Sequence, residues 1–171
     1  SIIIFLFLQM NLKLSTSIGF FLITLSTVIY GQQNAMNVYV FERLTEVSAS
    51  LPGDVYYSKY EISESLYNDD FELEINCFKG KGYDYYPDLT NYINEMAKDL
   101  GYTKFGDFIK QDIKPGMKSQ FSLTYSAEDE CNIVFGVIQD SFSRKLYEIE
   151  LYCYKINSET AALIINGIKI N

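Results

Sequence analysis

The chain has no histidine and no tryptophan. Without histidine, Ser-His-Asp and Cys-His catalysis cannot be assembled within one chain, and histidine-bound zinc is excluded. There are three cysteines, Cys77, Cys131 and Cys153, with no C-x-x-C spacing, which argues against a thioredoxin-like redox role. Three cysteines alone also make a poor structural zinc site. Proline is scarce, at three residues, and no Pro-rich linker, internal repeat or low-complexity tract divides the chain. Positive charge is under-represented, with 14 Lys and Arg against 22 Asp and Glu and a formal net charge of −8. A chain this acidic repels phosphate backbones, so no nucleic-acid partner is expected. The default reading of the charge is solubility.

Long apolar runs are confined to the start. Ile18–Ile29 (IGFFLITLSTVI) is apolar apart from hydroxyls, and Lys13 is the only charge before Gln32. A positive n-region, an apolar h-region and small residues at the cleavage point define a secretory signal. Gly31 suits the −1 position and Ile29 is acceptable at −3, so cleavage is expected before Gln32. Met10 reads as the start, with Ser1–Gln9 as upstream translated sequence. A membrane anchor is the rival, since a span needs about 20 apolar residues. Gln9, Asn11 and Lys13 interrupt that run, however, and from Met10 onward it is short. No later stretch approaches this length, so no stable membrane insertion is expected after signal cleavage. The expected organisation is residues 1–31 as upstream residues plus signal peptide and residues 32–171 as one α+β domain. The expected location is secreted or periplasmic.

Within residues 32–171, hydrophobic period assigns most elements. Residues 36–48 (MNVYVFERLTEVS) fit a helix through Met36, Val40, Leu44 and Val47, and a strand through Val38 and Val40. A turn is expected at Leu51–Asp54, a strand over Val55–Leu66, a hairpin loop at Tyr67–Asp70 and a strand over Phe71–Phe78. That last strand has the clearest alternation, with Phe71, Leu73, Ile75 and Cys77 on one face and Glu72, Glu74 and Asn76 on the other. Lys79–Gly82 breaks the sheet. Leu89, Tyr92, Ile93, Met96, Ala97 and Leu100 follow helical spacing, with Asp88 as N-cap and Gly101 at C′. Residues 104–113 carry no clear signal. Strands are expected at Lys118–Tyr125, Asn132–Gln139 and Leu146–Tyr154. A last helix starts near Asn157-Ser158, with Ala161, Ile164, Ile165 and Ile168 as its buried stripe. An antiparallel sheet flanked by helices buries both stripes. By parity all three cysteines face the core as small hydrophobes, although an oxidising compartment leaves one disulfide open.

Few motifs carry chemistry. Lys79-Gly80-Lys81-Gly82 lacks the G-x-x-x-x-G-K-[ST] frame of a phosphate loop. Asp69-Asp70 and Glu128-Asp129-Glu130 lack the D-x-[DN]-x-[DN]-G calcium pattern and read as solvated hairpin tips. No metal site and no cofactor is expected. Glu148 and Glu150 lie two apart on one strand face, where a pair could share a proton in a cleft; a solvent-facing edge is the ordinary reading. The 15 tyrosines serve sheet packing by default. Tyr83-Asp84-Tyr85-Tyr86, between a strand and a helix N-terminus, is the best ligand-contact candidate. Three rings and a carboxylate there could stack on a sugar or hold a cation.

Pro87–Leu100 (PDLTNYINEMAKDL), Lys114–Met117 (KPGM), the strand Leu146–Tyr154 and Ala161–Ile170 (AALIINGIKI) together resemble the PsbP-like (Mog-type) α/β/α fold. They look like its middle helix, the turn before its meander, and its last strand and closing helix. The resemblance covers Phe71–Asn171 and is one of pattern. A cystatin-like or NTF2-like sheet is the runner-up and needs a long helix from residues 36–48. The family's functions range from photosystem accessory to GTPase binder, and its His-based metal sites have no counterpart here. The sequence therefore suggests an exported, non-catalytic accessory or binding protein with a protein or glycan partner. The alternative is a carboxylate- or Tyr-based hydrolase acting on an envelope or extracellular polymer.

Overall fold

A computed structural model describes residues 35–79, 85–108 and 114–171. The signal-like segment lies outside the described residues. Among the described residues there are ten strands: β1 Met36–Val40, β2 Val47–Pro52, β3 Tyr56–Lys59, β4 Ser63–Tyr67, β5 Phe71–Lys79, β6 Gly106–Phe108, β7 Met117–Ser126, β8 Cys131–Asp140, β9 Lys145–Cys153 and β10 Lys169–Ile170. The helices among the described residues are α1 Leu89–Asp99 and α2 Ser158–Gly167. All strand pairs are antiparallel. One sheet has the order β1-β2-β10 and the other β3-β4-β5-β9-β8-β7-β6. The protein is thus α+β with antiparallel sheets. Among the described residues, no helix is long and apolar enough to cross a membrane.

Three layers follow from which faces are apolar. On one face of the large sheet, Phe71, Leu73, Ile75, Tyr147, Ile149 and Leu151 pack under β2 and α2. On the other face, Ile133, Phe135 and Val137 meet Leu89, Ile93, Met96 and Ala97 of α1. Strand β8 is covered on both faces, and from Ile133 to Asp140 every residue is buried. Such a strand reads as a continuous apolar run, because both of its faces need a partner. Burial of each large side chain contributes about 1.5–3 kcal/mol.

The helix ends are fixed locally. The Asp88 carboxylate accepts the Thr90 N–H at 2.9 Å. At the far end Tyr102 N–H reaches Ala97 O at 2.7 Å and Gly101 N–H reaches Lys98 O at 3.2 Å, the paired bonds of a Schellman ending. That ending needs a left-handed residue, and Gly101 supplies φ +73°. Asn157 caps α2 through the Thr160 N–H at 2.9 Å.

One open reading is settled and one expectation is corrected. Residues 36–48 form β1 and the start of β2. Their buried apolar residues are Phe41, Val47 and, continuing along β2, Ala49 and Leu51; from Val47 onward these recur at a period of two, which outweighs the helical spacing of Met36, Val40 and Leu44. The helix needed by the cystatin-like or NTF2-like arrangement is therefore not formed there. The single strand over Val55–Leu66 is a hairpin of β3 and β4, closed by Tyr60 N–H to Ser63 O at 2.9 Å. Polar Ser58, Lys59, Glu61 and Ser63 leave that stretch no apolar alternation to hold it straight. Residues 106–108, without clear signal in the sequence, are recruited as edge strand β6 by pairing with β7.

Candidate functional site

The tyrosine loop divides. Tyr83 and Asp84 lie outside the described residues. Tyr85 is 54% exposed. Its hydroxyl accepts from Lys118 Nζ at 3.2 Å, and the same ammonium sits 5.3 Å from the ring centroid. Tyr86 is held for structure. Its N–H donates to Gln139 Oε1 at 2.9 Å, and its carbonyl accepts from Gln139 Nε2 at 3.1 Å. Its ring meets Tyr92 edge-on, with centroids 4.6 Å apart. The buried Gln139 side chain is thereby satisfied, and of the two described tyrosines Tyr85 is the exposed one.

Glu148 and Glu150 are not a solvent-facing edge. Strand β9 is the middle strand of seven, and α1 with the residues after it brings tyrosines onto this face. Tyr92 donates to Glu148. Tyr102 and Tyr152 donate to Glu150 at 3.0 and 3.1 Å. Burial raises the Glu150 carboxyl above its ordinary proton affinity, and the two tyrosine hydrogen bonds oppose that only in part. Burial also pushes the Tyr102 hydroxyl up to about 12. In the ladder Glu74 stands opposite Glu150, and Asn76 opposite Glu148. The polar half of the β5 alternation therefore continues this face across two strands. Sequence reading missed it because strand order, not spacing, sets β5 beside β9.

A cavity of about 380 Å³ opens on the opposite face, between the start of α2 and the β6–β8 end of the large sheet. Its floor is Leu123, Val134 and Cys153, its wall Ile156, Ala161 and Ala162, and Phe105 stands beside it, 64% exposed. Asn132, Asn157 and Ser158 supply the polar groups. The space exists because α2 packs chiefly on β2, so the sheet reaches beyond the layer that covers it. The small Ala161-Ala162 pair was the sequence signal, legible only once the facing strand is known.

A smaller cleft of about 280 Å³ includes Arg43, Glu46, Glu64, Cys77, Lys79 and Lys145. Its carboxylates are occupied. Lys145 Nζ lies 2.5 Å from Glu46, and Arg43 Nε lies 3.6 Å from Glu64. Burial alone would raise Glu46, but the Lys145 hydrogen bond and charge, together with a backbone hydrogen bond and the Tyr147 hydroxyl, lower the carboxyl below its ordinary value. Cys77, Cys131 and Cys153 are unpaired thiols. Cys131 and Cys153 are buried as parity predicts, whereas Cys77 is half-buried at the rim of this cleft. Burial raises all three, Cys153 to about 12. At the hairpin tips, Asp129 accepts from Ser126 Oγ at 2.7 Å and Asp70 pairs with Lys155 at 3.7 Å.

Comparison with known protein families finds no match, and comparison with curated proteins finds none. Among solved structures, the chain is similar to a protein from Bacteroides thetaiotaomicron VPI-5482, with TM-score 0.46 and 16% identity over 81% of this chain and 49% of that one. The chain spans about half the length of that protein.

Proposed function

We propose that this is an exported, non-catalytic binding protein that holds a small apolar or amphipathic molecule between α2 and the large sheet. The observation that carries the reading is the apolar cavity of about 380 Å³ with three polar side chains around it. Ligand sites are commonly concave, mostly apolar, and oriented by a few polar groups. The chain has no tryptophan, so Phe105→Trp beside the cavity would be a unique fluorescent reporter. Titration with 1-anilinonaphthalene-8-sulfonate should shift its emission saturably. Ala162 lines the cavity yet is exposed, so Ala162→Phe should fill the space without strain in the core. Loss of affinity by tenfold or more is expected in that variant, with the melting temperature little changed. Equal affinity in the filled variant sinks the assignment.

Export rests on the apolar segment Ile18–Ile29 and the small Gly31. Mass spectrometry of exported protein should find Gln32 or Gln33 at the N-terminus, and retention of residues 10–31 would favour an anchor. The PsbP-like resemblance, part of the same reading, rests on the strand, helix, meander and helix order of residues 71–171. An experimental structure that fails to superpose on such domains would remove it. A protein or glycan partner at the surface is assigned to Tyr85. The competing hydrolase reading draws on the Tyr92–Glu148 and Tyr102–Glu150–Tyr152 groupings. Release of reducing ends from an envelope polymer, abolished by Glu148→Gln, would replace binding with catalysis.

A further inference from the structure

We propose that the face formed by β4, β5 and β9, on the α1 side of the large sheet, is a second binding site that takes an organic cation, an alkylammonium or guanidinium group. The strand register assembles it. Ser65, Glu74 and Glu150 form one row across three strands, and Ser63, Asn76 and Glu148 form the next. Tyr67, Glu72 and Tyr152 form a third row at one end. Side chains directly opposite in such a ladder have Cβ atoms about 4.5–5.5 Å apart, and like charges placed so destabilise the sheet.

Four carboxylates share this face, and among the described residues none of them is ion-paired. The glutamates that are paired, Glu42, Glu46 and Glu64, bond Lys59, Lys145 and Arg43 elsewhere. The hydrogen bonds to Glu74, Glu148 and Glu150 come from hydroxyls: Ser63 to Glu74 at 2.5 Å, Tyr92 to Glu148, and Tyr102 and Tyr152 to Glu150. Hydroxyls satisfy lone pairs but bring no compensating charge.

Ser65 is the independent observation. It is fully buried, its hydroxyl has no hydrogen-bond partner, and the register sets it beside Glu74 on this face. A buried polar group without a partner costs free energy of about 1–3 kcal/mol, so an orphan hydroxyl beside unpaired carboxylates marks a missing ligand atom. The carboxylates and the amide oxygen of Asn76 accept, and the Ser65 oxygen can accept as well. A partner therefore has to donate several hydrogen bonds and carry positive charge. Among the described residues, no group of three or more acidic or cysteine side chains is spaced to hold a metal ion. A broader cation whose N–H donors point apart matches the spread. The rings of Tyr56 and Tyr67, with centroids 5.8 Å apart at the same end of the face, offer π surface to its alkyl or planar part.

The test is calorimetric titration of the full chain with spermidine and, separately, with a short Lys- and Arg-containing peptide. Either should bind the wild type saturably. Tighter binding of spermidine identifies a free amine as the source, and tighter binding of the peptide identifies a partner protein's side chain. Glu74→Gln with Glu148→Gln should weaken binding by tenfold or more. These changes remove like-charge repulsion, so the double variant should fold, checked by circular dichroism. Ser65→Ala should weaken binding severalfold while raising or preserving the melting temperature. Glu128→Gln with Glu130→Gln, at the β7–β8 hairpin tip, is the control for general acidity. Equal weakening in the control, no saturable binding of either probe below 10 mM, or displacement of both probes by stoichiometric Ca²⁺ overturns the proposal.

Discussion

Gly136 lies where the packed core leaves no room for a side chain. It lies mid-strand in β8, opposite Phe121 of β7 and Ile149 of β9. A Cβ placed there would stand 2.3 Å from Phe121 Cδ1, 2.6 Å from Phe121 Cγ and 2.5 Å from the carbonyl oxygen of Gln120, where ordinary contact is 3.4–4 Å. Phe121 is fully buried, so its ring has little room to retreat, and the Gln120 carbonyl belongs to the β7 backbone. Overpacking of this kind costs about 1–3 kcal/mol. Replacing glycine by alanine also restricts the unfolded chain and returns about 0.4–1 kcal/mol. Gly136→Ala should therefore lose a net of about 1–2 kcal/mol. At about 2–4 °C per kcal/mol for a chain of this size, the melting temperature should fall by about 2–8 °C. Urea unfolding followed by circular dichroism reads the same quantity. In a Phe121→Ala background the ring contact is gone and only the carbonyl contact remains, so Gly136→Ala should cost less there, by about 1 kcal/mol. An alanine variant as stable as wild type would refute the close-approach argument. An identical penalty in both backgrounds would assign the whole clash to the backbone and refute the role of the ring.

Tyr85→Ala should leave stability within about 0.5 kcal/mol, as for other exposed positions, whereas Tyr86→Ala should be measurably destabilising through loss of its edge contact with Tyr92; thermal melts compare the two, and the reverse order contradicts the division of the loop. Thiol labelling of native protein should modify half-buried Cys77 first, with Cys131 and Cys153 reacting only after denaturation, and three thiols should be recovered without reductant; recovery of one would show a disulfide. Glu150 binds its proton more tightly when folded than its ordinary value of 4.5, so its contribution to stability falls as pH rises from about 4.5 through the folded value and stays lost above it. Glu150→Gln should therefore stabilise the protein at neutral pH, with the gain shrinking toward pH 4; a gain independent of pH would mean that charge is not its source.

Local pattern was enough for most elements. Phe71–Lys79 alternates, so it is a strand; Leu89–Asp99 repeats at helical spacing between Asp88 and Gly101, so it is a helix with both ends marked. These features depend on neighbours in the chain, and the chain supplies them directly. The same holds for the inward parity of Cys131 and Cys153 and for the stripe Ala161, Ile164, Ile165 and Ile168. Strand partners are another matter. Glu74 and Glu150 are far apart in sequence and become opposite residues only because β9 inserts next to β5, turning two polar strand faces into one shared carboxylate face. The cavity beside Ala161 and Ala162 likewise depends on how far α2 and the small sheet reach over the large one, a balance of packing between distant segments. Residues 36–48 show the limit from the other side. Their local spacing permits helix or strand equally, and the choice falls to burial of Phe41, Val47, Ala49 and Leu51 against the large sheet, a contact no local window contains.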